Sequence, residues 1–343
     1  MKVTINDVAK KANVSKATVS RIINGNYERN TDETINRVLK VIEELDYRPN
    51  ALARSLKLTK TNVIGIVLSN LQNPFWTKVL DGVEDTCQSL GYNLMIFNSK
   101  DKAELEKEHF RAFDIRQLDG MLVNPTLKNF DLYKKFVTKD YPFVAINRKI
   151  SGLNVNTITS NNIKGAEMAI NHLLAIGRRK IAIILYETEG ISPRFERLDG
   201  YQKAMRDNGL EIDNSLIKII PDRKGEARKA VQSMLAVAKR PDAIFSTNNL
   251  MTLEVLEAIK KMNLTIPEDI ALIGYDETVW SEHLNPPLTT VKQPAYEMGG
   301  IAAKRLIELI NIDKGEIPTP EIITLEPLLI VRESCGGIKK EES

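Results

Sequence analysis

The sequence predicts an α/β fold: a three-helix helix-turn-helix head with a hinge helix, then two doubly wound parallel-sheet lobes. Three observations carry this. Residues 1–60 hold 12 Lys or Arg against 7 Asp or Glu, a net of +5, while the remainder carries 36 against 38. Within that head, apolar residues recur at helical spacing in three short runs separated by turn residues. From Val63 onward, continuous apolar runs alternate with amphipathic stretches, the pattern of parallel sheets covered on both faces. A small basic head on a near-neutral body is the asymmetry expected of a nucleic-acid binder whose body has another task.

The totals set further bounds. A length of 343 residues allows two or three domains. Cys87 and Cys335 are far apart and suggest free thiols in a reducing compartment. The start MKVTINDVAKK lacks the apolar core of a signal peptide, and no run approaches the roughly 18 apolar residues of a membrane span. A cytoplasmic protein without membrane contact is expected.

In the head, Ile5, Val8 and Ala9 fall at helical spacing, with Thr4 or Asn6 as N-cap. Asn13 breaks the run and Val14 fits the short turn. Ser15 caps a second helix in which Val19, Ile22 and Ile23 face inward, leaving Lys16, Ala17, Ser20 and Arg21 outward. Small and basic outward residues let a helix approach base edges in a major groove, with Arg21 able to fork onto a guanine. Ser15, Thr18 and Asn24 suit phosphate oxygens, which fix register; Thr4 is a further expected DNA contact. A third helix from Thr31 or Asp32 to Leu45 presents Ile35, Val38, Leu39, Ile42 and Leu45 to the core. The head spans residues 1–48.

Residues 49–60 read as a hinge helix and linker. Pro49 opens a helix, Asn50 lies near a capping position, and Ala51 to Leu56 make barely two turns, too few to be stable alone. The small residues, Ala53 among them, let two copies pack closely, and Leu56 is placed to wedge into a minor groove. Asn50, Ala53 and Leu56 are therefore expected DNA contacts.

The phrases TINDVAKKANVSKATVSRIIN and YRPNALARSLK resemble the LacI–GalR family of bacterial repressors, and the similarity extends over essentially the whole chain. The resemblance implies base-reading positions at Lys16, Ala17 and Arg21, an intercalating leucine at Leu56, and a homodimer on a pseudo-palindromic DNA operator. It also implies a body of the periplasmic-binding-protein type, crossed by the chain near 160, 292 and 322. The lobes are then 61–160 with 293–321, and 161–292 with 322–335, leaving 336–343 as a polar tail. That tail has no apolar heptads, so a dimer is expected rather than a tetramer.

The expected strands are 63–68, 93–98, 120–125 and 143–147 in one lobe, and 180–185, 216–220, 243–247 and 270–275 in the other. The helix Tyr296–Ile312 belongs to the first lobe and Ile322–Ile330 to the second. Ligands of open parallel sheets bind beyond the carboxyl ends of the strands. The loops there carry Asn73, Phe75, Trp76 and Arg148, then Arg194, Arg197, Arg223, Asn248, Asp276 and Trp280. Aromatic faces beside amides, guanidiniums and carboxylates suit a hydroxyl-rich sugar. The resemblance places Arg197 and Asp276 at effector-binding positions; Phe75 and Trp76 could equally serve packing. Arginines gathered at one cleft suggest an anionic effector: a sugar acid, 2-keto-3-deoxygluconate being one example.

The reading is a repressor of carbohydrate utilisation genes, released by a sugar or sugar-acid effector, with no cofactor or metal. Rivals are an α/β dehydrogenase or sugar kinase, a periplasmic-type sugar-binding protein, and a family member governed by a protein co-regulator in carbon-catabolite control. An enzyme is disfavoured because LSNLQNPF stands where a phosphate loop would follow the first strand. His109, His172 and His283 also show no metal-ligand spacing.

Overall fold

The computed structural model describes residues 3–23, 25–28, 30–47, 60–116, 118–126, 128–238, 240–312 and 318–337. The chain divides into two compact units, residues 1–61 and 62–343. The first unit holds α1 (Ile5–Lys11), α2 (Lys16–Ile23) and α3 (Asp32–Glu44). Asp7 supports the start of α1, its carboxylate accepting from the backbone N (2.8 Å) and hydroxyl (2.7 Å) of Thr4. The turn to α2 passes through Asn13 at φ +53° and is closed by Val14 N donating to Ala9 O at 3.0 Å. Ser15 caps α2 by accepting from Thr18 N at 3.1 Å, and Thr31 caps α3 by accepting from Thr34 N at 3.3 Å.

The head core is Val8, Ala9, Ala12, Val19, Ile22, Val38 and Val41, with Ile35, Ile42 and Leu45 packed beside it. Leu39, expected inside, is exposed, and Val41 takes its place. At about 100° per residue, position 39 is turned away from the face shared by 38, 41, 42 and 45.

The second unit contains two six-stranded sheets. The first has the order β11-β5-β4-β3-β1-β2. These strands are β1 (Val63–Leu68), β2 (Asn93–Asn98), β3 (Gly120–Val123), β4 (Phe143–Ile146), β5 (Thr157–Ser160) and β11 (Ile322–Leu325). The second has the order β12-β10-β9-β8-β6-β7. It comprises β6 (Ile181–Tyr186), β7 (Ile217–Ile220), β8 (Ala243–Ser246), β9 (Ala271–Tyr275), β10 (Thr289–Lys292) and β12 (Leu328–Ile330). All pairings are parallel except β10–β12.

Helices α4 (Pro74–Ser89), α5 (Ala103–Arg116), α6 (Phe130–Thr138) and α11 (Ala295–Asn311) accompany the first sheet. The second has α7 (Asn162–Ala175), α8 (Ser192–Asp207), α9 (Glu226–Leu235) and α10 (Asn249–Lys261). Helices α4 and α11 approach so closely that a Cβ on Gly82 or Gly299 would overlap the carbonyl of Tyr296 or Val79. Only glycine permits that approach.

The expected continuous segment Ile322–Ile330 of the second lobe is not one element. Its first half, β11, pairs in parallel with β5 of the first sheet, and only β12 joins the second. Pro327, which has no N–H to donate to a ladder, lies between them. The third crossing is therefore between Leu325 and Leu328, not near 322. Helices α4, α7 and α10 each start directly after an asparagine. Asn73, Asn161 and Asn248 supply the caps.

Candidate functional site

On the head, Lys16 and Ala17 of α2 are exposed, with Ser20 and Arg21 half-buried beside them. The Arg21 guanidinium folds along its own helix, donating to Ala17 O at 3.2 Å and Thr18 Oγ1 at 3.5 Å. Ser15 and Thr18 hydroxyls bond one another at 2.9 Å, and the Thr4 hydroxyl donates to Asp7. These groups are thus locally engaged. Asn24, Asn50, Ala53 and Leu56 lie outside the described residues.

In the second unit, a cleft of about 1260 Å³ opens at the carboxyl ends of both sheets. Ser69, Asn98, Thr126 and Asn147 border it from the first sheet, and Tyr186, Asp222, Thr247 and Asp276 from the second. Gln293, at the second crossing, also lines it. Of the expected effector residues, Asn73, Phe75, Trp76, Arg148, Arg194, Arg197, Asn248 and Asp276 line this cleft.

Arg223 and Trp280 do not. Arg223 is exposed in the turn past β7, where its neighbour Asp222 faces the cleft instead. Trp280 packs on the core formed by Met251, Val255, Leu272 and their neighbours, so its apolar ring is taken up in packing. Phe75 and Trp76 do both jobs: they belong to the first-lobe core, edge to face at 4.9 Å, and also border the cleft.

Arg197 is the most constrained of the set. It is 7% exposed, donates to Asn162 Oδ1 at 3.0 Å and Thr247 O at 2.7 Å, and stacks 3.6 Å from the centroid of Tyr275. Burial pushes the Tyr275 hydroxyl up to about 12. Asp276 follows at φ +76°, a left-handed conformation that few residues other than Gly, Asn and Asp adopt, and accepts from Gln293 Nε2 at 2.6 Å. Burial raises the Asp276 carboxyl above its ordinary range, although the Arg197 charge and the Gln293 hydrogen bond oppose the shift.

The other cleft cations are also partnered. Arg148 grips Asp101 through Nη1 (2.6 Å) and Nη2 (3.0 Å), and Arg194 donates to Asp222 Oδ2 at 2.6 Å and Glu187 O at 2.9 Å. The arginine excess inferred from the loops is consequently balanced: Asp101, Glu187, Glu189, Asp222 and Asp276 match Lys100, Lys128, Arg148, Arg194 and Arg197. The balance is uneven in space. The first-lobe wall is net positive through Lys100, Lys128 and Arg148 against Asp101, and the second-lobe wall is net negative.

Several hydrogen bonds among the described residues span the lobes away from the crossings. Asn249 Nδ2 donates to Asn73 Oδ1 (2.8 Å), Lys149 Nζ to Glu196 Oε1 (2.6 Å), and Lys149 N to Ser192 Oγ (2.9 Å). Sequence reasoning missed Asp101, Lys128 and Gln293. The first two look like ordinary surface-turn residues, and Gln293 follows a strand too polar to be recognised.

Comparison with known proteins agrees with this architecture. Residues 4–50 match the family of bacterial regulatory proteins of the lacI type, and residues 170–335 match a periplasmic binding protein-like domain. The chain is 35% identical to the "Probable HTH-type transcriptional regulator EndR" of Paenibacillus polymyxa, covering 97% of this chain and 98% of that protein. It is 34% identical to the HTH-type transcriptional regulator KdgR of Bacillus subtilis, covering 96% and 97%. The solved complex of the transcriptional regulator CelR with cellobiose superposes with a TM-score of 0.73 at 28% identity, covering 97% and 99%. The chain belongs to the lacI family of bacterial regulatory proteins and is a DNA-binding transcriptional regulator with a helix-turn-helix head and a periplasmic-binding-protein-like body.

Proposed function

We propose that this regulator is a repressor of sugar-utilisation genes, binding a pseudo-palindromic operator as a homodimer and released when a sugar acid fills the cleft. It works in the cytoplasm as a switch rather than an enzyme. The cleft between the lobes carries the reading. Its floor offers the buried Arg197 and Asp276, a donor and an acceptor suited to adjacent hydroxyls, and its first-lobe wall is net positive. An acid group directed at that wall and hydroxyls directed at the floor would satisfy both.

Among the residues expected to bind effector, Asn73, Arg148, Arg194, Arg197, Asn248 and Asp276 are the polar contacts we assign, with Phe75 and Trp76 as the apolar edge. The similarity to CelR, solved with cellobiose, supports a carbohydrate of some kind. Effector held between two lobes changes their relative angle, and the paired heads then lose operator affinity, a coupling of about 1–3 kcal/mol. On the head, Lys16, Ala17, Ser20 and Arg21 would meet base edges, while Thr4, Ser15 and Thr18 would meet phosphates.

The test is fluorescence anisotropy of the full-length protein on palindromes taken from its own genomic neighbourhood. D-galacturonate and D-galactose, which differ by one carboxylate, serve as probes. Release by the acid at concentrations where the neutral sugar is silent is expected; release by neutral sugars alone overturns the acid assignment.

A further inference from the structure

The turn after β2 holds two consecutive non-glycine residues in the left-handed region, Lys100 at φ +50° and Asp101 at φ +55°. L-residues avoid this region because Cβ crowds the following carbonyl, so such a pair persists only where its surroundings hold it. The turn itself is closed by Lys102 N donating to Ser99 O at 2.9 Å and by Lys100 N donating to Asn98 Oδ1 at 3.0 Å. A further restraint comes through the Asp101 side chain, which lies in neither lobe's apolar core. Its two oxygens accept from Arg148 Nη1 and Nη2, and Arg194 Nη2 of the other lobe stands 4.0 Å away.

Both guanidiniums are braced independently of Asp101, Arg148 by Pro125 O at 3.0 Å and Arg194 by Glu187 O and Asp222. Asp101 therefore sits between two fixed, largely buried cations at the cleft wall. Burial alone would raise its carboxyl. The hydrogen bonds from Arg148 and the charges of Arg148, Arg194 and Lys128 outweigh that and hold it below the usual carboxylate range, so it is an anion at neutral pH.

We propose that Asp101 is a built-in occupant of an anion seat: its carboxylate fills the position between Arg148 and Arg194 that the effector's acid group takes on binding. The inference rests on the acid-sugar reading of the cleft and names the residue that sets its selectivity. Exchanging one carboxylate for another keeps both cations neutralised throughout. A neutral ligand that displaced Asp101 would leave a buried guanidinium uncompensated. Displacement also releases the side-chain tether on the turn and removes the Asp101–Arg194 approach between the lobes.

The experiment compares wild type, Asp101→Asn and Asp101→Ala as full-length proteins by calorimetry at fixed ionic strength, with inorganic phosphate, D-galacturonate and D-galactose as probes. Both variants are expected to bind phosphate and galacturonate at least tenfold more tightly than wild type, with galactose unchanged; thermal melts confirm that each is folded. No gain for phosphate in either folded variant overturns the seat. Galacturonate binding that weakens in both variants overturns it too, while leaving the acid-sugar reading intact. A phosphate gain without galacturonate binding to any form supports the seat and refutes the reading. In wild type, amide hydrogen exchange at residues 99–102 is expected to rise when galacturonate binds, a response that a merely structural aspartate would not give.

Discussion

The head and the cleft prepare for their partners in opposite ways. On α2, Lys16 and Ala17 stand in solvent and, among the described residues, Arg21 bonds within its own helix, so DNA would replace water and weak local bonds. In the cleft, Arg197 and Asp276 are buried at 7% and 5% exposure and already hydrogen-bonded to Asn162, Thr247 and Gln293. A polyanion with a repeating backbone can be met by side chains that adjust on contact, since much of its affinity is electrostatic. A small hydroxylated ligand offers few contacts, and selecting it requires groups fixed in advance so that little ordering cost remains on binding.

The largest effect is expected where pre-positioning is strongest. Arg197→Ala strips Asn162 Oδ1 and Thr247 O of a donor, uncovers the Tyr275 ring and removes the charge that favours the Asp276 carboxylate. Breaking a buried charged network of this kind costs about 3–5 kcal/mol. Effector binding measured by calorimetry should fall by more than a hundredfold and operator release should disappear, while operator affinity without effector stays within a few-fold of wild type. Arg197→Lys should rescue little, because one ammonium cannot reach both acceptors and stack on Tyr275 as well. Equal losses of effector and operator binding would break the contrast, making Arg197 a general structural support.

Next in size is Arg21→Ala. Its guanidinium must leave Ala17 O and Thr18 Oγ1 to reach a base, so these bonds are exchanged rather than added. Discrimination at one base pair of each half-site should drop by about 1–3 kcal/mol, with nonspecific binding nearly unchanged. Competition binding against a set of single-base operator variants measures this directly. A uniform loss across all variants would show that Arg21 grips phosphate instead.

The same contrast governs what could be read from sequence. The fold of the head is legible because its three short helices have a spacing that states which way each side chain points, Val19 and Ile22 inward and Lys16 and Ala17 outward. Within its core, the Leu39–Val41 exchange follows that spacing, which turns position 39 away from the face shared by 38, 41, 42 and 45. Most strands and helices of the lobes were legible as well, but β5 and β10 were not. TITS and TTVK look polar, yet Thr157, Thr159, Thr289 and Thr290 are buried. The first three lose nothing by it, since their hydroxyls donate to Val155 O, Asn147 O and Arg332 O. The cleft was legible as a set of strand-end loops but not as side-chain directions. Arg223 and Asp222 are neighbours in sequence and only the latter faces the cleft; Asp101, the second left-handed residue of a charged turn, gave no signal at all.

The smallest effect is one of sign, and it separates the two regions cleanly. Hydrogen bonds from the Thr4 hydroxyl and backbone N hold the Asp7 carboxyl below its ordinary value. Its contribution to the head is therefore fully present above the unfolded-chain value of about 3.9 and is lost as pH falls through the lower folded-state value. Asp276 behaves in reverse. Burial raises its carboxyl, so the favourable contribution is complete below about 3.9 and is lost as pH rises through the raised folded-state value. Asp7→Asn should accordingly lower the melting temperature of the head at neutral pH, with the difference shrinking below about pH 4. Asp276→Asn should raise that of the body at neutral pH, since Asn also tolerates the left-handed backbone there, with its advantage already gone when the pH has fallen to about 3.9. Scanning calorimetry of the two variants between about pH 3 and 7 tests both signs at once. A parallel pH trend in the two variants would mean that the Asp276 carboxylate is better solvated by Arg197 and Gln293 than its burial implies.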